Sequence, residues 1–273
     1  MVDPIDGNTL IMAMIGDPVA QVKTPQAINP IFAAMGVNIR CVPLHIGTEG
    51  LGAAIAGLRA MRNVIGCGVT LPHKQDIGAL CDSLDPAAAQ VGAVNVIRRE
   101  ADGSFRGYQF DGRGFVGGLL AQGHDPVGRD CLVIGAGGAS AAIVTALAQA
   151  GARHIKISNR TSAKAEALAA GVNAALATDI VQAGAAIPQA GQLIINATSL
   201  GMSPTDGFPL DPAGLDGSML VAEVVAKPEV TRLLQEAAQR GAQIHSGIHM
   251  ITSQVPLIAQ HFAELYGPTA PVG

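Results

Sequence analysis

Residues 131–142 read Cys-Leu-Val-Ile-Gly-Ala-Gly-Gly-Ala-Ser-Ala-Ala. An apolar run that suits a strand enters a glycine-rich corner, and the corner opens an alanine-rich stretch that reads as a helix to Ala150. A strand, a tight turn and a helix in that order aim the first helical N–H groups past the strand end, where a pyrophosphate can bind. Gly135 permits the turn, and Gly137 keeps a Cβ out of the path of a phosphate. Ala136, Gly138 and Ala139 complete the small-residue corner, while Ser140 holds the third place of the GxGxxG spacing, a departure to another small residue. A purely structural glycine-rich turn is the competing reading. The strand before the corner and the helix after it favour a dinucleotide site.

Working outward, the same alternation extends in both directions. Downstream, His154–Ser158, Leu193–Asn196 and Met219–Val224 read as strands, with a helix over Ser162–Ala170. Upstream, Leu10–Ile15, Cys41–Ile46 and Val64–Thr70 read as strands. Helices are expected from Pro25 to Ala34, from Thr48 to Met61, and after Pro72. Ala93–Arg99 and Ser104–Tyr108 flank an Asp102-Gly103 turn and form a hairpin. Asp111 opens a helix to about Gln122, and a last helix runs from Ile248 to about Tyr266. The pattern predicts an α/β protein of two domains. An N-terminal, mostly parallel α/β domain for substrate covers residues 1–111 and is completed by a C-terminal helix at about 247–273. A Rossmann-type dinucleotide domain covers 112–246.

Composition narrows the partners. Nearly half of the 273 residues (49%) are hydrophobic, enough for two cores, and 17 basic against 21 acidic residues leave a charge of −4. No basic run or stripe is present, so a nucleic acid is not expected, and a small molecule is the better ligand. The longest apolar stretch, around Ala163–Ala177, is broken by charges, so no membrane span is expected. The four cysteines (Cys41, Cys67, Cys81, Cys131) have no metal-ligand or CxxC spacing and read as thiols of a reducing compartment. No His/carboxylate cluster has ligand spacing, so no metal is expected. The first residues lack a basic stretch followed by an apolar one, which predicts a cytoplasmic protein.

The second strand of the dinucleotide unit ends in Ser158-Asn159-Arg160-Thr161, with Lys164 one helical turn on. An NAD site places a carboxylate at about this distance to accept from the ribose 2′-hydroxyl. Here a guanidinium and a hydroxyl stand instead, which suits a 2′-phosphate through charge-assisted hydrogen bonds. NADP is predicted over NAD; Arg160 and Lys164 as a merely solvated helix start is the alternative.

Lys74 lies in the stretch Gly68-Val-Thr-Leu-Pro-His-Lys74, at the end of a predicted parallel strand, where such sheets bind ligands. A lysine there, among apolar residues, can give and take a proton. Asp111 is the nearest candidate carboxylate partner, at the domain junction. Both are also ordinary as surface groups, and Asp111 as a helix cap.

Eight motifs resemble those of the shikimate and quinate dehydrogenase family, in the family's order. They are VTLPHK, GAVN, the aspartate of GYQFDGRGF, GAGGA, NRT, NATSLGM, KPEVTRLL and GIHMITSQ, spread from about Met14 to about Tyr266. The resemblance implies a two-domain enzyme with its cleft between the domains, moving a hydride between NADP and an alicyclic hydroxy acid or its ketone. Lys74 and Asp111 match the catalytic pair, and Thr24, Thr70, Asn95 and Gln254 match substrate contacts. Thr198, Ser199 and Met202 match the loop lying against the nicotinamide, and Val224 and Gly247 further cofactor contacts. The resemblance leaves open whether the chain is a monomer or a homodimer.

Departures gather on the substrate side. Of the two serines that bind the carboxylate in the family, one place is kept as a hydroxyl (Thr24) and the other is Val22. Ala226 stands for a tyrosine, Gly68 for an asparagine, and Gln109-Phe110 for Asn-Thr. A lost hydrogen bond to a charged group costs roughly 1.5–3 kcal/mol, so two such losses weaken shikimate binding in the transition state by about two to four decades if nothing replaces them. Three functions therefore stand side by side: a shikimate dehydrogenase-like enzyme, a quinate- or aminoshikimate-type dehydrogenase, and a catalytically silent dinucleotide sensor. The Lys74/Asp111 pair argues against the last.

Overall fold

The computed structural model describes residues 5–267. The chain forms two compact units, one comprising residues up to Phe110 with those from Val255 onward, the other Asp111–Gln254. Residues 1–4 of the expected first domain, and residues 268–273 of its expected closing segment, lie outside the described residues.

The first unit is built on β1 (Leu10–Gly16), α1 (Thr24–Ala34), β2 (Ile39–His45), α2 (Leu51–Ala60) and β3 (Val64–Val69). β4 (Ser83–Leu84), α3 (Pro86–Val91), β5 (Val96–Arg99) and β6 (Phe105–Tyr108) follow. Its sheet has the order β2-β1-β3-β5-β6-β4, with β1 parallel to both β2 and β3. β3 is buried along its whole length, as its unbroken small and apolar sequence requires of a central strand. β5 runs antiparallel to β3 and β6, and the expected hairpin is closed by Asp102, whose Oδ1 accepts the Ser104 N–H at 2.9 Å.

One expected element is absent. After Pro72 the chain makes turns and a single 3-10 turn at Ile77–Leu80, not an α-helix. The helix starts later, at Pro86, because Asp85 supplies the cap that Pro72 lacks: its carboxylate accepts the Ala88 N–H at 2.7 Å.

The second unit contains α4 (Asp111–Ala121), β7 (Asp130–Ile134), α5 (Gly138–Gln149), β8 (His154–Ser158) and α6 (Ser162–Leu176). It continues through β9 (Val181–Ala183), β10 (Leu193–Asn196), β11 (Leu220–Glu223), α7 (Arg232–Gln239) and β12 (Gln243–His245) into α8 (Ile248–Tyr266). The sheet order β12-β11-β10-β7-β8-β9 is parallel throughout. From β7 the chain winds outward through β8 and β9, then returns to β10 on the other side. That reversal is the Rossmann arrangement, and its crevice lies at the carboxyl ends of β7 and β10. Three elements go beyond the sequence reading. β9 and β12 are three-residue edge strands, too short to carry a period. α7 is amphipathic, with Leu233, Leu234 and Ala237 buried and Thr231 capping it.

Candidate functional site

The dinucleotide corner is made of backbone. Gly135 has φ +116°, and a Cβ there would stand 3.1 Å from Ala197 O and from Thr198 Cγ2, so only glycine fits comfortably. Its N–H donates to Ser158 O at 2.8 Å, which ties the turn after β7 to the end of β8. Ser140, the departure from the glycine spacing, is fully buried and donates its hydroxyl to Gly135 O at 2.6 Å. The serine thus closes the turn by a bond that glycine could not make. α5 begins at Gly137 with no side-chain cap, and a Cβ on Gly137 would meet nothing within 4 Å. The N–H groups of Gly138, Ala139 and Ser140 have no acceptor inside the helix and suit an anion.

Arg160, Thr161 and Lys164 lie at the start of α6, directly after β8, on the same edge of the sheet as the Gly135 turn. All three are exposed, and Arg160 and Lys164 form no ion pair among the described residues. Asn159 fixes their approach by donating to Thr161 O at 2.9 Å. Two free cations beside an uncapped helix start fit a dinucleotide that carries a 2′-phosphate.

The loop after β10 is held by its own side chains. Asn196 Oδ1 accepts from Thr198 N at 3.1 Å and Thr198 Oγ1 at 2.6 Å, and Thr198 Oγ1 accepts from Leu200 N at 3.1 Å. Asp206 Oδ2 accepts from Gly201 N and Ser203 N at 2.9 and 3.0 Å. Ser199 and Met202 project outward, exposed. Val224 and Gly247, remote in sequence, come together: a Cβ on Gly247 would lie 2.5 Å from Val225 O and 2.6 Å from Val224 C.

In the first unit, backbone bonds gather three predicted residues around the end of β3. Thr70 N donates to Ile15 O at 2.9 Å, Val69 N to Asn95 O at 2.8 Å, and Val94 N to Lys74 O at 2.8 Å. Asn95 is buried, and its Oδ1 accepts the Phe110 N–H at 2.8 Å. Lys74 is half-buried on this turn. Thr24, half-buried, opens α1, and no hydrogen bond joins its side chain to these residues. In the second unit Asp111 begins α4, is 2% exposed, and accepts from Gln254 Nε2 at 2.8 Å. Asp111 and Gln254, predicted separately, therefore meet.

The departing positions also have physical surroundings. Met14 occupies the space at position 68: a Cβ on Gly68 would stand 2.6 Å from its sulfur. Gln109 is buried and donates to Ala93 O at 3.3 Å, and Phe110 packs near the His261 ring at 5.3 Å between centroids. Val22 and Ala226 are half-buried.

With this geometry established, likeness to known proteins is decisive. Residues 14–97 match the shikimate dehydrogenase substrate binding domain, and residues 121–202 match shikimate / quinate 5-dehydrogenase. The chain belongs to the shikimate dehydrogenase family. A relative from Rubrobacter xylanophilus, shikimate dehydrogenase (NADP(+)), is 38% identical over 92% of this chain and 89% of its own. Among solved structures, a shikimate dehydrogenase in complex with NADP+ superposes with a TM-score of 0.88 at 30% identity, covering 97% of this chain and 94% of the other. A ligand-free 5-ketofructose reductase of Gluconobacter is also 30% identical, with a TM-score of 0.79 and coverage of 94% and 92%. Membership of the family and the α/β, Rossmann-containing architecture agree with the motif reading.

Some groups escaped that reading. Glu223 is fully buried at the end of β11, and burial pushes its carboxyl up to about 7 against three hydrogen bonds that favour ionisation. A lone acid in the apolar run Met219–Val225 was the available signal. His245 on β12 is 1% exposed with neither ring nitrogen bonded, near the rings of His249 (4.8 Å), His124 (5.8 Å) and Phe115 (6.0 Å). Burial first, then His249 and His124, push it down to about 4. Among the described residues the four cysteines are free, no three His, Cys, Asp or Glu side chains could hold a metal, and no helix is long and apolar enough to cross a membrane.

Proposed function

We propose that the chain is an NADP-dependent dehydrogenase interconverting shikimate, or a close cyclitol carboxylate, and its 3-dehydro ketone. The observation that carries this reading is the near full-length match to relatives named shikimate dehydrogenase (NADP(+)). The uncapped α5 start and the unpaired Arg160 and Lys164 support the choice of nucleotide. Bound there, the cofactor would supply the hydride in its reduced form and accept it in its oxidised form, at the nicotinamide ring.

The residues of this chain do the rest. Lys74 gives the proton to the developing alkoxide in the reductive direction and takes it back in the oxidative one. Asp111 is the carboxylate assigned to the lysine and the reacting hydroxyl, and within its own unit it accepts from Gln254 Nε2. Thr24, Thr70, Asn95 and Gln254 take the remaining polar groups of the substrate. The unit ending at Phe110 serves as the substrate and catalytic domain, and Asp111–Gln254 as the dinucleotide domain. A monomer or homodimer in the cytoplasm fits this role.

A second reading concerns the substrate alone. Val22 and Ala226 offer no side-chain hydrogen bond where the family pattern has donors, and the family fold extends to a 5-ketofructose reductase. The test is a panel of shikimate, quinate, aminoshikimate and 5-ketofructose with NADP(H) and NAD(H), followed by reduced-cofactor absorbance. Highest kcat/KM for shikimate with NADP is the expected result. Preference for a ketone without a carboxylate moves the substrate assignment, and binding without any turnover overturns the enzyme.

A further inference from the structure

Glu223 is a carboxylic acid with no basic partner, in a strand whose preceding residues Leu220, Val221 and Ala222 are all buried and apolar. Simple packing would be met by another apolar residue, since a buried acid is costly unless its oxygens are satisfied. They are satisfied with unusual completeness. Oε2 accepts from Asn196 Nδ2 at 2.8 Å, Oε1 accepts from Thr231 Oγ1 at 2.8 Å, and the Val225 N–H is a third donor.

The chemistry of the first bond sets everything after it. An asparagine side chain has one accepting and one donating end, and its orientation is decided by what surrounds it. A carboxylate oxygen that carries no proton only accepts, so Oε2 turns the amide nitrogen of Asn196 toward itself and the amide oxygen away, the same direction that the Thr198 N–H and the Leu200 carbonyl require. That oxygen then receives Thr198 N and Thr198 Oγ1, while the second amide hydrogen goes to Leu200 O at 2.9 Å. The hydrogen bonds that shape residues 198–200 thus pass through one amide that Glu223 anchors from the buried side. On its other side Glu223 holds Thr231, whose hydroxyl caps α7 by accepting Leu234 N at 3.2 Å.

We propose that Glu223 is the positioning residue of the 197–202 loop, fixing Asn196 in one orientation so that Thr198 and Ser199 are presented to the nicotinamide half of the dinucleotide. The second half of this statement rests on the NADP reading above; the first does not.

Glu223→Ala and Glu223→Gln in the full chain test it. The amide of Gln is a neutral, weaker acceptor, so it anchors Asn196 less firmly, and it preserves volume should the alanine variant fail to fold. Hydrogen exchange of the 197–202 amides, measured without nucleotide, is expected to quicken about tenfold, the effect of roughly 1.4 kcal/mol, while amides of β7 and α5 stay unchanged. Kd for NADPH is expected to rise by a similar factor, with that for adenosine 2′,5′-bisphosphate, which lacks the nicotinamide, unchanged. Unaltered loop exchange in the folded variants overturns the positioning role. Equal loss of affinity for both ligands overturns it in favour of a general structural one. Faster loop exchange with unchanged NADPH affinity overturns the link to nicotinamide. Failure of the unsubstituted protein to bind NADPH at all overturns the dinucleotide reading and leaves the exchange result to judge Glu223.

Discussion

The carboxyl edges of the two sheets are built from different materials. In the second unit the corner at Gly135, the start of α5 and the 197–202 loop are backbone surfaces, shaped by small residues and by side chains that bond to the main chain. In the first unit the backbone only gathers Thr70, Lys74 and Asn95, and what a substrate would meet is side chains. A backbone surface offers the same main-chain groups whatever exposed side chains stand beside it, whereas a side-chain surface is rewritten one position at a time. Of the departures, Val22, Gly68, Gln109 and Phe110 lie in the first unit and Ala226 in the second, while the dinucleotide corner departs only at Ser140, which restores the turn by a new bond.

The sharpest way to test that contrast is to remove one side chain and leave the backbone surface intact. Lys74→Ala is expected to lower kcat by about 10²–10⁴-fold, with the Kd for NADPH unchanged by direct titration. Near-normal turnover takes the lysine out of the mechanism.

Acid should find a weakness in the second unit that its backbone site does not reveal. His245 ionises near its ordinary value of 6.5 when unfolded and only at about 4 when folded. Between these values the unfolded chain binds more protons at this residue, so the contribution of His245 to stability falls as the pH drops from about 6.5 toward about 4, by about 3 kcal/mol, while Glu223, raised to about 7, contributes in the opposite sense between about 7 and its ordinary 4.5. No loss is expected from this group above pH 6.5. Urea unfolding of the protein and of His245→Leu at several pH values checks it: the stability of the protein relative to the variant should fall as the pH drops through this window, and parallel pH profiles take His245 out of the acid response.

Arg160→Ala probes a side chain proposed for the nucleotide. Loss of a charge-assisted bond of roughly 1.5–3 kcal/mol should raise the Kd for NADPH about 10–100-fold and leave NADH unchanged. Parallel loss for both cofactors breaks the assignment to a 2′-phosphate. The smallest effect is expected on the substrate side, where Val22→Ser should raise kcat/KM for shikimate about tenfold, the value of one recovered hydrogen bond. No response to the new hydroxyl places the carboxylate elsewhere.

How much could be read without coordinates follows the same division. The order strand, glycine corner, helix is local, and so is the pairing of Arg160 with Lys164 one turn later. Strands β3, β7 and β10 were legible because a buried parallel strand is apolar along its length. The edge strands β9 and β12 were not, because three residues carry no period. Pro72 misled the expectation of a helix: Asp85 caps the helix that opens at Pro86 and, among the described residues, nothing does so before Pro72, although Pro25 opens α1 without a side-chain cap. Asp111 with Gln254, Val224 with Gly247, and Glu223 with Asn196 and Thr231 are contacts between residues far apart in sequence, which spacing does not encode.

The Met14 sulfur beside Gly68 couples two positions of neighbouring strands. A Cβ at position 68 would stand 2.6 Å from that thioether, so a side chain there requires Met14 to turn aside or give way to a smaller residue. Redesign toward an asparagine at position 68 therefore treats residues 14 and 68 together, because the flexible thioether must find new space.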